Sequence, residues 1–156
     1  MKLTTKGRYA VTAILDLVMY GGESPVNLHD ISTRQKISLS YLEQLFTRLR
    51  RQGIVESIRG PGGGYRLVRN PCDINVAEVI DAVGERVETS RCSGEANCCD
   101  HEPCLTHHLW QDLDHHIRSY LESISFTQLA DDRVSFMDKF EMAQSASALK
   151  QAGAQN

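Results

Sequence analysis

No segment of this chain approaches the roughly 20 consecutive apolar residues that a membrane-spanning helix needs. A secretion signal is missing too. The best N-terminal apolar stretch, Ala10 to Tyr20, is interrupted by Asp16 and is followed by no small-residue cleavage site. The cysteines never take the C-x-x-C spacing that thiol-redox enzymes use. No Gly-Lys-Ser/Thr follows the one glycine-rich turn, GPGGG, and the chain runs on from it into a β-prone stretch, so a phosphate-binding loop is excluded. No segment is repeated, and no set of residues forms a catalytic constellation. These absences predict a cytoplasmic protein that is not an enzyme. Its 5 cysteines should then be reduced thiols or ligands rather than disulfides.

At 156 residues, 41% hydrophobic and 24% charged, the chain has the makeup of one soluble domain, or of a small domain with an appendage. Its net charge of −3 conceals an asymmetry. Residues 1–70 hold eleven Lys/Arg against five Asp/Glu, a surplus of six positive charges. The remainder carries an excess of nine negative charges. A basic half is the electrostatic footprint of a nucleic-acid partner, although a solvated surface with uneven charge reads the same way.

The apolar pattern predicts a first helix from about Thr5 to Tyr20, with Val11, Ile14, Leu15 and Val18 on its buried face and Gly21-Gly22 as its end. A short second helix follows, Leu28 to Gln35. A third starts at Ser38 or Ser40 and runs to Gln52, with Leu42, Leu45, Phe46 and Leu49 as its apolar stripe. Two β-prone runs, Ile54–Ile58 and Tyr65–Val68, flank the Gly/Pro-rich turn and read as a hairpin. Three helices and a hairpin with a basic tip form the winged helix-turn-helix pattern. The fold class is therefore mainly α, with residues 1–70 as the DNA-binding domain.

Residues 71–89 read as a connecting helix, capped by Asn75 and Glu78, with Val76, Val79, Ile80 and Val83 facing the core. A long helix from about Leu105 to Ile124 carries Leu109, Leu113, Ile117, Tyr120 and Ile124 at spacings of three or four. That stripe fits a homodimer seam, with packing back onto its own domain as the alternative. The dimerisation helix and the turn after it span 105–130. Residues 131–156, rich in Ala, Gln and Ser towards their end, read as a disordered tail.

The third helix carries the candidate DNA-reading side chains. Gln44 can pair with adenine, Glu43 can accept from a cytosine amino group, and Ser40 can reach a base edge or a phosphate. Glu43 has a second reading, as the partner of Ser40 in a capping box. Were Ser38 the cap instead, Glu43 would be free to face the groove and to repel wrong sites. The glycines of the hairpin turn allow positive φ angles at a tight tip. Arg59, at its entrance, can enter a narrow minor groove or contact a phosphate.

The stretch CSGEANCCDHEPCLTH, residues 92–107, offers Cys92, Cys98, Cys104 and His107 in the order C-x5-C-x5-C-x2-H. Three thiolates and an imidazole this close describe a metal or iron–sulfur site. By chemistry alone, three cysteines and a histidine most often hold structural zinc. The wide spacing leaves room for a larger cofactor without requiring one. Cys99 adjoins Cys98, and His101 and His108 could compete with His107. Cys72, His29, His115 and His116 read as structural or surface residues.

The opening MKLTTKGRYAV, the stretch ISLSYLEQLFTRLRRQGIVESIRGPGGGYRL and the C-x5-C-x5-C-x2-H motif together resemble the IscR family, bacterial transcription regulators of iron–sulfur cluster assembly genes. The resemblance runs from Met1 to about Leu129. It implies a winged-helix homodimer on double-stranded DNA operators, repressing and at some sites activating. One [2Fe-2S] cluster per subunit would sit on Cys92, Cys98, Cys104 and His107, supplied by the iron–sulfur cluster assembly machinery. It implies two classes of DNA site, one recognised by the cluster-bound form and another also read without the cluster. Glu43 matches the position that discriminates between them, and Arg59 the wing arginine of the minor groove. Cys99 and His101 are not part of the motif. A zinc-stapled interaction protein is the rival reading, and it leaves the basic reading face without a purpose.

Overall fold

Thr4 starts the first helix by accepting a hydrogen bond from the Lys6 backbone N–H at 3.2 Å, and the helix (α1) runs Thr5–Gly21. The computed structural model describes residues 4–22, 24–86, 102 and 104–153, with side chains as far as Met142. Asn27 caps α2 (Leu28–Gln35) through the Asp30 amide at 2.8 Å. Next come α3 (Leu39–Arg51), strands β1 (Val55–Ile58) and β2 (Gly64–Leu67), a 3₁₀ turn at Pro71–Asp73, α4 (Val76–Ala82), α5 (His107–Ser123) and α6 (Phe126–Gly153). Three helices followed by an antiparallel hairpin make the winged helix-turn-helix that the apolar pattern predicts. Among the described residues no helix is long and apolar enough to cross a membrane.

The core is continuous from α1 to the start of α6. All four predicted apolar positions of α3 are buried, and so are Val76, Val79, Ile80 and Val83 around α4. The buried face of α1 differs from the predicted one. Ala10, Ala13, Ile14 and Leu17 are innermost, whereas Val11, Leu15 and Val18 are only half-buried. Alanine at two of these positions lets the neighbouring helices lie close to α1, so the contact face turns towards the smaller residues.

The wing pairs Val55 with Leu67 through Ile58 with Gly64. A third piece of backbone joins it: Val26 and Tyr65 exchange hydrogen bonds at 2.9 and 2.8 Å. Only glycine fits at Gly64, because a Cβ there would lie 2.3 Å from the Val26 carbonyl oxygen. The tip glycines with positive φ are Gly60 (106°) and Gly62 (73°). The turn's glycines thus divide between Gly60 and Gly62, which set its shape, and Gly63 and Gly64, where nearby backbone leaves no room for a Cβ.

Asn75 caps α4 as predicted, accepting from the Glu78 amide at 2.9 Å. The reciprocal half of the box is absent, because Glu78 turns its carboxylate to Arg69. Backbone bonds from Val76 N–H to Ile124 O (3.1 Å) and from Phe126 N–H to Ile74 O (3.1 Å) tie the α5–α6 corner to the front of α4. Arg118 adds a side-chain tie from α5 to Asp81 at 2.7 Å. Hydrogen bonds that Arg118 donates to the Asp81 and Glu122 carboxylates raise the guanidinium pKa above its usual range.

The segment 131–156, expected to be disordered, is helical as far as Gly153. It has no proline and no glycine before Gly153, and it is rich in alanine and unbranched side chains. A nucleated helix extends through such a sequence at little cost even without an apolar stripe.

The Asp16 carboxylate lies inside this core. Asp16, its side chain fully buried, accepts from Arg34 Nε (3.0 Å), Arg34 Nη2 (2.6 Å) and Gln35 Nε2 (2.7 Å). The Arg34 guanidinium also stacks 4.4 Å above the centroid of the Tyr20 ring. This clamp sets α2 against α1. Replacing Arg34 by Met should cost about 2–4 kcal/mol in denaturant unfolding, because it strands a buried charge. The pair Asp16→Leu with Arg34→Met should recover most of that loss. Equal losses for the single and double variants would show that the clamp is not electrostatic.

Candidate DNA-reading face and ligand-bearing turn

Ser38 is the N-cap of α3 (φ −61°, ψ 140°), and its side chain makes no capping hydrogen bond. Ser40 is therefore inside the helix, and the capping-box reading of Ser40 with Glu43 does not hold. Burial of Leu42, Leu45, Phe46 and Leu49 leaves Ser40, Glu43 and Gln44 on the exposed side of the same helix. Among the described residues the Glu43 carboxylate has no ion pair or hydrogen bond, while the Glu43 backbone oxygen accepts from Thr47 Oγ1 at 2.8 Å. Ser40, Glu43 and Gln44 thus share one solvent-facing surface.

The basic residues differ in what they are free to do. On the wing, Arg66 is paired with Glu56 at 2.7 Å across the strands. Arg59 follows the last residue of β1, is exposed and has no ion pair among the described residues. Arg50 donates to Ser57 Oγ at 3.4 Å, linking α3 to β1. Arg48 donates to the Val83 carbonyl at 3.2 Å, and Lys6 to the Gly84 carbonyl at 3.3 Å. The sequence marks Lys6 and Arg48 only as members of a basic half. No local signal shows that both turn to the end of α4, because the contacts span 78 and 35 residues.

Of the candidate ligands, Cys92 and Cys98 lie outside the described residues, as do Cys99 and His101. The other two share one turn. The His107 backbone N–H donates to the Cys104 carbonyl at 2.9 Å, and His107 opens α5. Cys104 is half-buried, and its Sγ lies 3.9 Å from Thr106 Oγ1. That hydroxyl also accepts from Trp110 Nε1 at 3.1 Å. His107 is 4% exposed and is the one buried residue of α5. Among the described residues no group of three or more Cys, His, Asp or Glu converges on a metal position. A cysteine and a buried imidazole held three residues apart in one turn suit the soft donor set of an iron–sulfur cluster or of zinc.

The stripe expected on α5 is split. Of its members Ile124 is packed against the core and Ile117 is half-buried, whereas Leu109, Leu113 and Tyr120 are exposed. Leu121, outside that stripe, also packs against the core, and Trp110 is exposed. His108, His115 and His116 are exposed as well.

A family model described as "Rrf2: Iron-dependent Transcriptional regulator" matches residues 3–132. The chain is 60% identical over 129 residues to "Putative HTH-type transcriptional regulator ORF2" of Azotobacter vinelandii, covering 83% of this chain and 79% of that one. It is 57% identical over 133 residues to "HTH-type transcriptional regulator IscR" of Xenorhabdus nematophila, covering 85% and 81%. Among solved structures, "T. potens IscR" superposes with a TM-score of 0.70 at 35% identity, over 85% of this chain and 88% of that one. The B. subtilis global cysteine regulator CymR (YrzC) superposes with a TM-score of 0.73 at 31% identity, over 84% and 97%.

The cap geometry has a direct consequence. Since Ser40 caps nothing, Ser40→Ala should change thermal stability by no more than about 0.5 kcal/mol, whereas loss of a true capping side chain typically costs about 1 kcal/mol. A loss of the larger size in calorimetry would restore the capping box.

Proposed function

The chain belongs to the Rrf2 family of iron-dependent transcriptional regulators, and we propose that this regulator reads operator DNA with α3 and the wing under the control of a [2Fe-2S] cluster. The observation that carries the reading is the joint presence of two features. One is the exposed Ser40–Glu43–Gln44 face, with Arg59 on the wing; the other is the Cys104–His107 turn that opens α5. Its genes would be those of iron–sulfur cluster assembly, repressed or activated according to the site.

In this proposal α3 enters the major groove. Gln44 supplies a bidentate donor and acceptor pair for adenine. Glu43 accepts from a cytosine amino group and repels the groove wherever no such donor stands. Ser40 reaches a base edge or the adjacent phosphate, and Arg59 a narrow minor groove. Reading paired half-sites needs two copies. The exposed Leu109, Trp110, Leu113 and Tyr120 supply an apolar face for a second chain, which supports the homodimer.

Cys92, Cys98, Cys104 and His107 would hold the cluster, which supplies a signal that depends on iron and sulfide supply. The charge of the set follows from His107. A neutral imidazole in place of a fourth thiolate leaves one negative charge fewer around the metal and raises the reduction potential. A neutral imidazole also bonds cluster iron less strongly than a soft, anionic thiolate does, so the set favours ready loss. The role is one of binding and regulation, with no catalytic step.

The test is anaerobic purification with iron, sulfide and zinc analysis and visible spectra. Operator binding is then compared before and after cluster removal at one fixed salt concentration. Equimolar iron and sulfide, with an operator affinity that changes on removal, is the expected result. Zinc without sulfide would overturn the cluster, and unchanged affinity would overturn the sensing. Two variants sharpen this. Glu43→Ala should relax discrimination by the cluster-free form, and retained discrimination excludes Glu43 as the filter. His107→Cys should give a longer-lived cluster of lower potential, and an unchanged potential and lifetime in voltammetry and decay assays would remove the argument from ligand charge.

A further inference from the structure

Glu85 follows the glycine that ends α4, and its side chain is put to a specific use. The residue is buried, 8% exposed, in a protein whose other acids mostly face solvent. One carboxylate oxygen accepts from the Thr4 backbone N–H at 3.0 Å, and the other from the Gly7 N–H. These amides belong to the first turn of α1, where a helix cannot satisfy its own donors. A carboxylate there is held both by hydrogen bonds and by the positive end of the helix dipole.

The two residues before Glu85 make the other half of the arrangement. The Val83 carbonyl accepts from Arg48 on α3, and the Gly84 carbonyl accepts from Lys6 on α1. Gly84 sits at φ +72°, and a Cβ there would come within 3.3 Å of Arg48 Nη1. The first turns of α1 also touch the other end of α3. The rings of Tyr9 and Tyr41 meet edge to face, 6.0 Å between centroids, and Tyr41 lies between Ser40 and Glu43 in the chain. Residues Val83–Glu85 therefore hold α3 near both ends, directly through Arg48 and indirectly through α1 and Tyr9.

We propose that Glu85 is a positioning residue for DNA reading. It fixes α3 against α1 and α4. This rests on the reading of α3 as the helix that meets DNA, and not on the cluster.

The experiment uses the full chain as purified and two duplexes. One is selected by the wild-type chain from a random-sequence pool, and the other is a scrambled sequence of the same length and composition. Affinities are measured by fluorescence anisotropy at one salt concentration, at a temperature where circular dichroism shows every variant folded. Glu85→Gln keeps one acceptor but sets an amide N–H₂ against the second backbone donor. It should weaken the selected duplex by about tenfold, the scale of one lost specific contact, and leave the scrambled duplex within about twofold. Loss of the negative charge alone would instead tighten both duplexes. A purely structural role would lower the melting temperature without moving the affinity of the folded chain. Arg48→Lys, which keeps the cation, should combine with Glu85→Gln less than additively, by about threefold or more, because both act through the same three residues. Should Glu85→Gln fail to fold, Gly84→Ala disturbs the same tie from the neighbouring position and should show the same selective loss. An unchanged selected-duplex affinity, an equal loss on both duplexes or strict additivity overturns the proposal. Equal operator affinity with and without metal would instead remove the cluster-sensing reading and leave the positioning result standing.

Discussion

Burial of one stripe on α3 governs the molecule. Leu42, Leu45, Phe46 and Leu49 are all 2% exposed or less, and with a period of 3.6 residues their burial decides where every other side chain of the helix points. Fully burying an aliphatic or aromatic side chain contributes about 1.5–3 kcal/mol, so four of them outweigh any polar preference on the opposite face. Ser40, Glu43 and Gln44 need contribute nothing to folding, which leaves their chemistry available to a partner. The same stripe explains why Phe46 meets the Tyr65 ring of the wing, 4.8 Å between centroids. The wing is docked on the reverse side of the helix that it accompanies.

Polar ties then fix the angles that apolar packing leaves loose. Asp16 is the extreme case: a buried carboxylate is costly, and it stands here because Arg34 and Gln35 supply three donors at 2.6–3.0 Å. Such a pair is a weak source of net stability compared with apolar packing. It does fix one relative orientation of α1 and α2, since a bidentate guanidinium accepts little rotation. At the other end of α1, Glu85 does the corresponding work through two backbone amides. The first helix is thus held by one carboxylate of its own and by one from the far side of the domain.

The sequence made part of this legible. The stripe on α3, the hairpin, the Asn75 cap and the face of α4 follow from short-range periodicity and capping chemistry, which a single chain displays openly. The innermost face of α1 did not, because Val11, Leu15 and Val18 are more apolar than Ala10 and Ala13, and only the approach of neighbours favours the smaller residues. Neither did the strand partner Val26, a single residue whose pairing needs the wing already in place. The run of α6 beyond residue 130 has no apolar stripe to mark it in the sequence; what favours a helix there is propensity alone. At the candidate site, Ser40, Glu43, Gln44 and Arg59 stand out in the sequence because their residue types carry recognisable chemistry. Glu85, Lys6 and Arg48 make contacts that span 35 to 81 residues, and a local pattern cannot show those.

Magnitudes bear on how a distant ligand could act on α3. Coupling between two sites usually amounts to about 1–3 kcal/mol. Moving the stripe of α3 within its core would cost more, since core rearrangements that open cavities run to about 2–5 kcal/mol for each large side chain. The four hydrogen bonds made by Val83, Gly84 and Glu85 lie in the right range, because each is worth about 0.5–1.5 kcal/mol net, and more when charged. Releasing one or two of them supplies a coupling of the usual size while the core stays as it is. One of these ties joins the residues after α4 to α3, through Arg48, and the other three join them to the start of α1. Such a coupling does not need a deformable core; a few polar contacts at the end of α4 are enough to hold or release the orientation of α3.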